Sequence, residues 1–404
     1  MTKERNFYSY FLAAITVWGV TAYHYINIGM SVIYISAITY FILKKLTGKG
    51  FPYVKIERDF WLAALFIYGS VLLSSLFHLD NLYNIYGGHY SVISFIMYSL
   101  PLWILLLVGW DEDVRKPIYY TFLVVCYSMC LYGIWKCFFY GENRLDSYYT
   151  SPTHVGIMLD MFIPFTIAFW NYYRDNLLYL YVNSVLVIIE IIALFMTETR
   201  GSFLALSAAF IFSIISYIYK NHIHLTKINM IKIAIAILLV IGITIGYSFC
   251  LGNGNMSRMK GGERLLMWEA SYHMWSDHKL VGVGIDEWKA MYEGPYRQVN
   301  SHEAGINVMP HNMFIYFFAT GGVIAGVGYL GYLWFMLRYL WKRIWLYSSN
   351  PFSWCMLAVF IAFAVHGLLD ETFISKTMGR IFYMLLGIAI LFERMDKKSE
   401  GDYE

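Results

Sequence analysis

Three side chains in this sequence have the types that acid–base and anion chemistry need. His311 stands between Pro310 and Asn312, directly ahead of a long apolar run. An imidazole there can cap the helix, pack beside it or take a proton from a hydroxyl. Pro310 suits a first helical turn, which would set the ring near the positive end of the helix dipole and favour its neutral, basic form. Arg200 lies in "TETRGSF" (197–203), a turn too short to be a domain of its own. A guanidinium in such a turn either reaches outward to lipid headgroup phosphates or uses its planar fork of donors to grip a phosphate or pyrophosphate. Arg264 reads the same two ways, as a solvated charge or as a second anion clamp.

These residues must be held by membrane-embedded elements. Of 404 residues, 59% are hydrophobic and 14% charged, and the mean hydropathy is +0.51. A soluble domain carries about 25% charged residues. Apolar stretches of membrane-crossing length predict twelve spans, at 7–24, 26–44, 59–78, 90–109, 116–139, 153–172, 176–196, 201–219, 229–250, 310–340, 351–369 and 374–392. The fold class is therefore an all-α polytopic membrane protein. Nine spans fill 1–250, a partly helical loop occupies 251–310, and three spans with a short tail complete 311–404. Lys3 and Arg5 precede the first span as in a secretion signal, but a second span follows at once without a clear cleavage site, so the first is read as retained.

The basic residues orient this array. Alternation of twelve spans puts nineteen of the thirty Lys and Arg on the side that holds both termini. Six of the remaining eleven sit in the one long loop, whose charge has little influence on orientation. Both termini are expected in the cytoplasm, and Arg200, Arg264 and His311 on the outer face. Within the loop, "GGERLLMWEASYHMWSDHKL" predicts a helix with Leu265, Trp268, Tyr272 and Trp275 along one face, Glu263 near its start, and "GVG" (282–284) after it. A loop of this length with its own helices suits a lid.

Other polar groups have simpler readings. Asp111, Glu112 and Asp113 resemble a metal-binding triplet, yet Arg115 and Lys116 follow immediately, as in a solvated turn. His302 with Glu303 lacks the spacing of a zinc helix. Asp160 and Glu190 fall inside apolar spans, where they serve either function or interhelical hydrogen bonds. Asp370 and Glu371 end the eleventh span and either complete a polar site or pair with Lys376. Cys126, Cys130, Cys137, Cys250 and Cys355 have no metal-type spacing and imply no disulfide.

"TETRGSF", "GERLLMWEASYHMWSDHKLVGVGIDEW" (262–288) and "PHNMFIYFFATGG" (310–322), in this order and on one face, resemble the successive motifs of the O-antigen ligase and polymerase superfamily, as does "NRLDSYYTSPTHVGIMLDMFIPF" (143–165). The resemblance implies a GT-C-like glycosyltransferase of a bacterial inner membrane. Its donor would be a polysaccharide on undecaprenyl pyrophosphate, and its acceptor a hydroxyl of lipid A-core. No cofactor, metal, nucleotide or nucleic acid is implied. Carried over by motif, Arg200 and Arg264 bind the pyrophosphate, His311 is the general base, and Asn312, Glu198 and Glu263 are supporting candidates. Gly322 fits the glycine ligases show ten residues after the His-Asn pair, whereas Ala325 stands where a second glycine is usual. A polymerase joining repeat units on the same carrier is the nearest alternative. A transporter or flippase predicts paired broken helices with charges at mid-membrane, and a non-catalytic scaffold gives the three residues no task.

Overall fold

The computed structural model describes residues 2–21, 26–46, 56–78, 92–109, 113–149, 151–222, 242, 262–301, 309–347 and 349–399. Among these the chain is helical, with no strand. In chain order the helices are α1 (Thr2–Thr21), α2 (Ile26–Leu46), α3 (Arg58–Ala64), α4 (Ser70–Ser75), α5 (Val92–Tyr98), α6 (Leu100–Val108), α7 (Arg115–Tyr140), α8 (Pro152–Tyr172), α9 (Leu177–Thr197), α10 (Arg200–Lys220), α11 (Gly262–Asp277), α12 (Trp288–Glu293), α13 (Met313–Leu346), α14 (Pro351–His366) and α15 (Lys376–Ser399). Five of them, α7 to α10 and α13, are long and apolar enough to cross a membrane, and Phe7–Thr21, Ile93–Val108 and Pro351–His366 form shorter apolar helices.

Local chemistry sets where these helices begin and break. Ser151, Asn176 and Asn350 cap α8, α9 and α14 by accepting hydrogen bonds from backbone N–H groups of the first turn, and Pro152 and Pro351 follow two of them at a position that needs no donor. The predicted span 59–78 is one run with a π-helical segment at Leu65–Gly69 between α3 and α4. The span 90–109 is divided at Ser99, just before Pro101 removes a backbone donor. Apart from Gly242, the predicted ninth span, 229–250, lies outside the described residues, as do Asp111, Glu112, Cys250, His302 and Glu303. Cys126, Cys130, Cys137 and Cys355 are unbonded thiols.

The helices share two polar ends. At one, Arg343 is buried against Glu393 and also bonds Glu57 at 3.1 Å. Beside it Asp59 takes Lys342 at 2.5 Å, and Asp396 takes Tyr172, Arg115 and Asn350. At the opposite end Lys136 binds Asp146 at 2.6 Å, Arg144 donates to the Thr197 carbonyl at 2.9 Å, and the Tyr149 hydroxyl bonds the Thr21 carbonyl. Arg115, Arg338, Lys342 and Arg343 thus gather at one end and Lys136, Arg144 and Arg264 at the other, the division that alternating spans predict.

The predicted stripe is not the face that the loop helix buries against the protein. Met267, Ala270, Ser271 and Met274 are its buried face, while Leu265 and Tyr272 are exposed. Both stripes have helical period, and the one centred on Ala270 and Ser271 takes the protein side. Trp268 lies between them and donates from its indole N–H to the Pro310 carbonyl at 2.8 Å.

α13 is not one continuous rod. Gly322 adopts φ 62°, ψ −160°, which breaks the helix about 14 Å from its start. The carbonyls of Ala319 and Thr320 then accept from the N–H groups of Val283 and Gly284, at 3.0 and 2.9 Å. The N–H groups of Val323 and Ile324 donate to the Lys279 and Leu280 carbonyls, at 2.8 and 3.3 Å. Residues 279–284 therefore bond four of the peptide groups beside the break, as nonhelical backbone within a span requires. A Cβ on Gly322 would overlap the Leu280 backbone, and one on Gly282 the Thr320 backbone.

Candidate functional site

His311 precedes α13 rather than starting it. Asn312 is the N-cap: its side-chain oxygen accepts from the Ile315 N–H at 3.0 Å, and its amide donates to the Leu368 carbonyl at 2.9 Å. Met313 N–H bonds the Gly367 carbonyl at 2.7 Å, so the start of α13 is fastened to the turn that ends α14. Pro310 lies outside the helix, contrary to its predicted first-turn place. His311 itself is held at φ 51°, a left-handed conformation that a non-glycine residue adopts only when its surroundings enforce it.

That conformation sets the imidazole against Asp370. Nδ1 of His311 lies 3.0 Å from Oδ1 of Asp370, and the other carboxylate oxygen lies 3.6 Å from Nη2 of Arg264. Side-chain exposure rises from 9% at Asp370 through 24% at His311 to 47% at Arg264, so the carboxylate is the floor of the group and the arginine its rim. Asp370 is fixed from below by its N–H to the His366 carbonyl at 2.9 Å, and its Oδ1 also accepts from the Glu371 N–H at 2.9 Å.

Burial raises the proton affinity of the Asp370 carboxyl, but the hydrogen bond and charge of His311 outweigh it and bring its pKa to about 2. Burial disfavours the imidazolium of His311; the Asp370 hydrogen bond and charge overcome that effect, Arg264 opposes them, and the net pKa is raised. The helix-dipole expectation of a depressed value thus gives way to a carboxylate in direct contact. An ionised carboxylate only accepts, so Nδ1 carries the hydrogen and Nε2 is the basic nitrogen of the neutral ring.

A second histidine lies beneath. His366 and Asp160 are both buried and 2.5 Å apart, Nδ1 to Oδ2. Asp160 thus takes part in a polar pair between α8 and α14, while Glu190 accepts from the Thr166 hydroxyl at 3.0 Å between α9 and α8. Glu371 pairs with His154 at 3.4 Å, and neither it nor Asp370 pairs with Lys376 among the described contacts.

Arg200 opens α10 at the same end. Glu198, at φ 52°, and Thr199 alone separate it from α9. Gly201 lies against His366, where a Cβ would come within 2.9 Å of Nε2. The Arg200 side chain is exposed and makes no hydrogen bond or ion pair among the described residues. His311 and Arg264 therefore meet at one carboxylate, and Arg200 reaches the same end without touching either. Of the supporting candidates, Asn312 shapes the site directly. Glu198 lies 3.9 Å from Arg144, and Glu263 accepts from Ser301 at 2.9 Å. Asp113 bonds Arg115 at 2.7 Å, as in the solvated-turn reading.

Residues 184–330 match the family model described as O-antigen ligase. The match supports the O-antigen ligase and polymerase superfamily. It spans less than half of the chain, from within α9 through α10, α11 and α12 to about the middle of α13, and includes Arg200, Arg264, His311 and Gly322. Asp370, His366 and Asp160 fall outside it. No curated protein matches the chain at a significant level. Sequence reasoning named Asp370 but not its partner; the available signal was its place in "HGLLDE" (366–371), at the end of an apolar span on the same side as His311.

Proposed function

We propose that the protein is an O-antigen ligase, a membrane glycosyltransferase that moves polysaccharide from undecaprenyl pyrophosphate to a sugar hydroxyl of lipid A-core. The observation that carries this reading is the His311–Asp370 pair with Arg264 on the same carboxylate, inside a chain matched by the O-antigen ligase family. Nε2 of His311 takes the proton of the acceptor hydroxyl while its oxygen attacks the anomeric carbon. The bond from that carbon to the pyrophosphate oxygen breaks, and its electron pair leaves with the pyrophosphate. Arg200 and Arg264 bind the charge that develops there, work a divalent cation does in other transferases. One displacement inverts the anomeric centre. In this reading the site faces the periplasm and both termini lie in the cytoplasm.

The break in α13 favours transfer over transport. A transporter leaves the peptide groups of its broken helices to coordinate cargo; here residues 279–284 bond four of those beside the break.

The test is a strain lacking the gene, its lipopolysaccharide examined on a gel. Loss of every capped-core band with carrier-linked polymer retained is the expected result, whereas a core bearing a single repeat unit would show a polymerase. His311→Ala supplied in trans should accumulate in the membrane and restore nothing.

A further inference from the structure

The first turns of α15 hold a second group of cations that the His311 site does not use. Arg380 has two guanidinium nitrogens, Nε and Nη1, that are sealed from solvent and have no hydrogen-bond partner among the described residues. Its guanidinium carbon lies 6.0 Å from the centre of the Tyr98 ring, and Gly379 packs against the same ring. The Tyr98 hydroxyl is engaged with the Ile374 carbonyl at 3.1 Å. Tyr34 of α2 and Tyr98 of α5 are the groups that act on Arg380 electrostatically, and no described carboxylate does so. One turn earlier stands Lys376, partly exposed, with Asp286 as the described carboxylate that acts on it.

Among the described residues, Lys376 therefore faces one carboxylate, and Arg380, four residues on and more buried, faces none. Taking a guanidinium out of water without a counter-anion is unfavourable, and arginines kept in that state generally receive an anion. The group lies near the outer end of α15, beside α2 and α5, where phosphate groups of membrane lipids are found. We propose that Arg380 and Lys376 form a phosphate-binding site for a phosphate-bearing ligand, separate from the Arg200, Arg264 and His311 group, with a membrane lipid as its expected source. Nη2 of Arg380, which is not among the sealed nitrogens, meets the phosphate, and Lys376 adds a second charge.

The test uses the full-length protein in nanodiscs of phosphatidylcholine with a minor fraction of phosphatidic acid, read by native mass spectrometry. Wild type should retain phosphatidic acid selectively, and Arg380→Gln should lower its occupancy about tenfold, the loss expected for a charge-assisted hydrogen bond. Lys376→Gln should reduce it less, and Lys289→Gln, on α12, should not change it. In a phosphate-free maltoside detergent without lipid, Arg380→Gln should melt no lower than wild type, since it removes an uncompensated charge; this separates lost binding from lost folding. Inorganic phosphate forms the second arm. Protection of wild type but not Arg380→Gln by phosphate alone would support the site with a soluble source. Equal lipid retention by wild type and Arg380→Gln, with no protection by phosphate, overturns the proposal.

Discussion

An imidazole that donates from Nδ1 to an ionised carboxylate is fixed in one tautomer and binds a proton at Nε2 more strongly than an isolated histidine does. Asp370 does both for His311. In the proposed reaction the base must start unprotonated, so the rate falls as pH drops through the His311 pKa, which Asp370 holds above its ordinary value. Asp370→Asn lowers that pKa. Its acid limb should move to lower pH, and its maximal rate should fall by roughly 10²–10⁴-fold, the scale of a general-base contribution; a pH profile of transfer by purified enzyme measures both, and an unmoved limb would sink the dyad. At Arg200, a lysine keeps the charge but not the planar fork. Arg200→Lys should therefore lose most of its transfer activity, with a weaker grip on the pyrophosphate donor in a binding assay. The three residues of the proposed chemistry stand out in the sequence because proline, asparagine and glycine around them mark turns. Asp370 was less so: its partner lies 59 residues away in the chain, and only the docking of Met313 on Gly367 brings the two together.

Among the elements, the join between the loop and α13 carries the most. Apolar period alone reads 310–340 as an unbroken span, because Gly321 and Gly322 do not interrupt the hydropathy. What breaks the helix is a hydrogen-bonding arrangement with a segment some forty residues earlier in the chain. Gly322→Ala forces a Cβ into the Leu280 backbone and a residue that disfavours φ 62° into that conformation. The second effect alone costs about 1–3 kcal/mol. A lower melting temperature is expected together with reduced transfer, while Ala325→Gly, in the next turn, should have a smaller effect. The stripe on α11 shows a related limit. Two faces of the helix have acceptable period, and which one turns inward depends on how close its neighbours come, a property of Met267, Ala270, Ser271 and Met274 as a packed set.

For the whole molecule, the two polar ends agree with the division of basic residues that the sequence alone supplies. Charge bias and alternation act over the entire chain, so they survive local errors in where a span begins or breaks. The proposed orientation is testable with single cysteines in a background without the native five. A membrane-impermeant thiol reagent on intact cells with a permeabilised outer membrane should label Val299→Cys, where the native side chain is 97% exposed, and spare Asn221→Cys. The opposite pattern inverts the topology. The engagement of residues 279–284 with the break in α13 also bears on how the protein is made. A span whose peptide groups are completed by the preceding loop is not a self-sufficient insertion unit: it leaves the ribosome after its partner, and can reach its final hydrogen-bonded form only once that partner has docked. Assembly at the membrane and completion of the site below His311 are then one event, and a loop exchanged for that of a relative has to fit the helix break before it can serve any substrate.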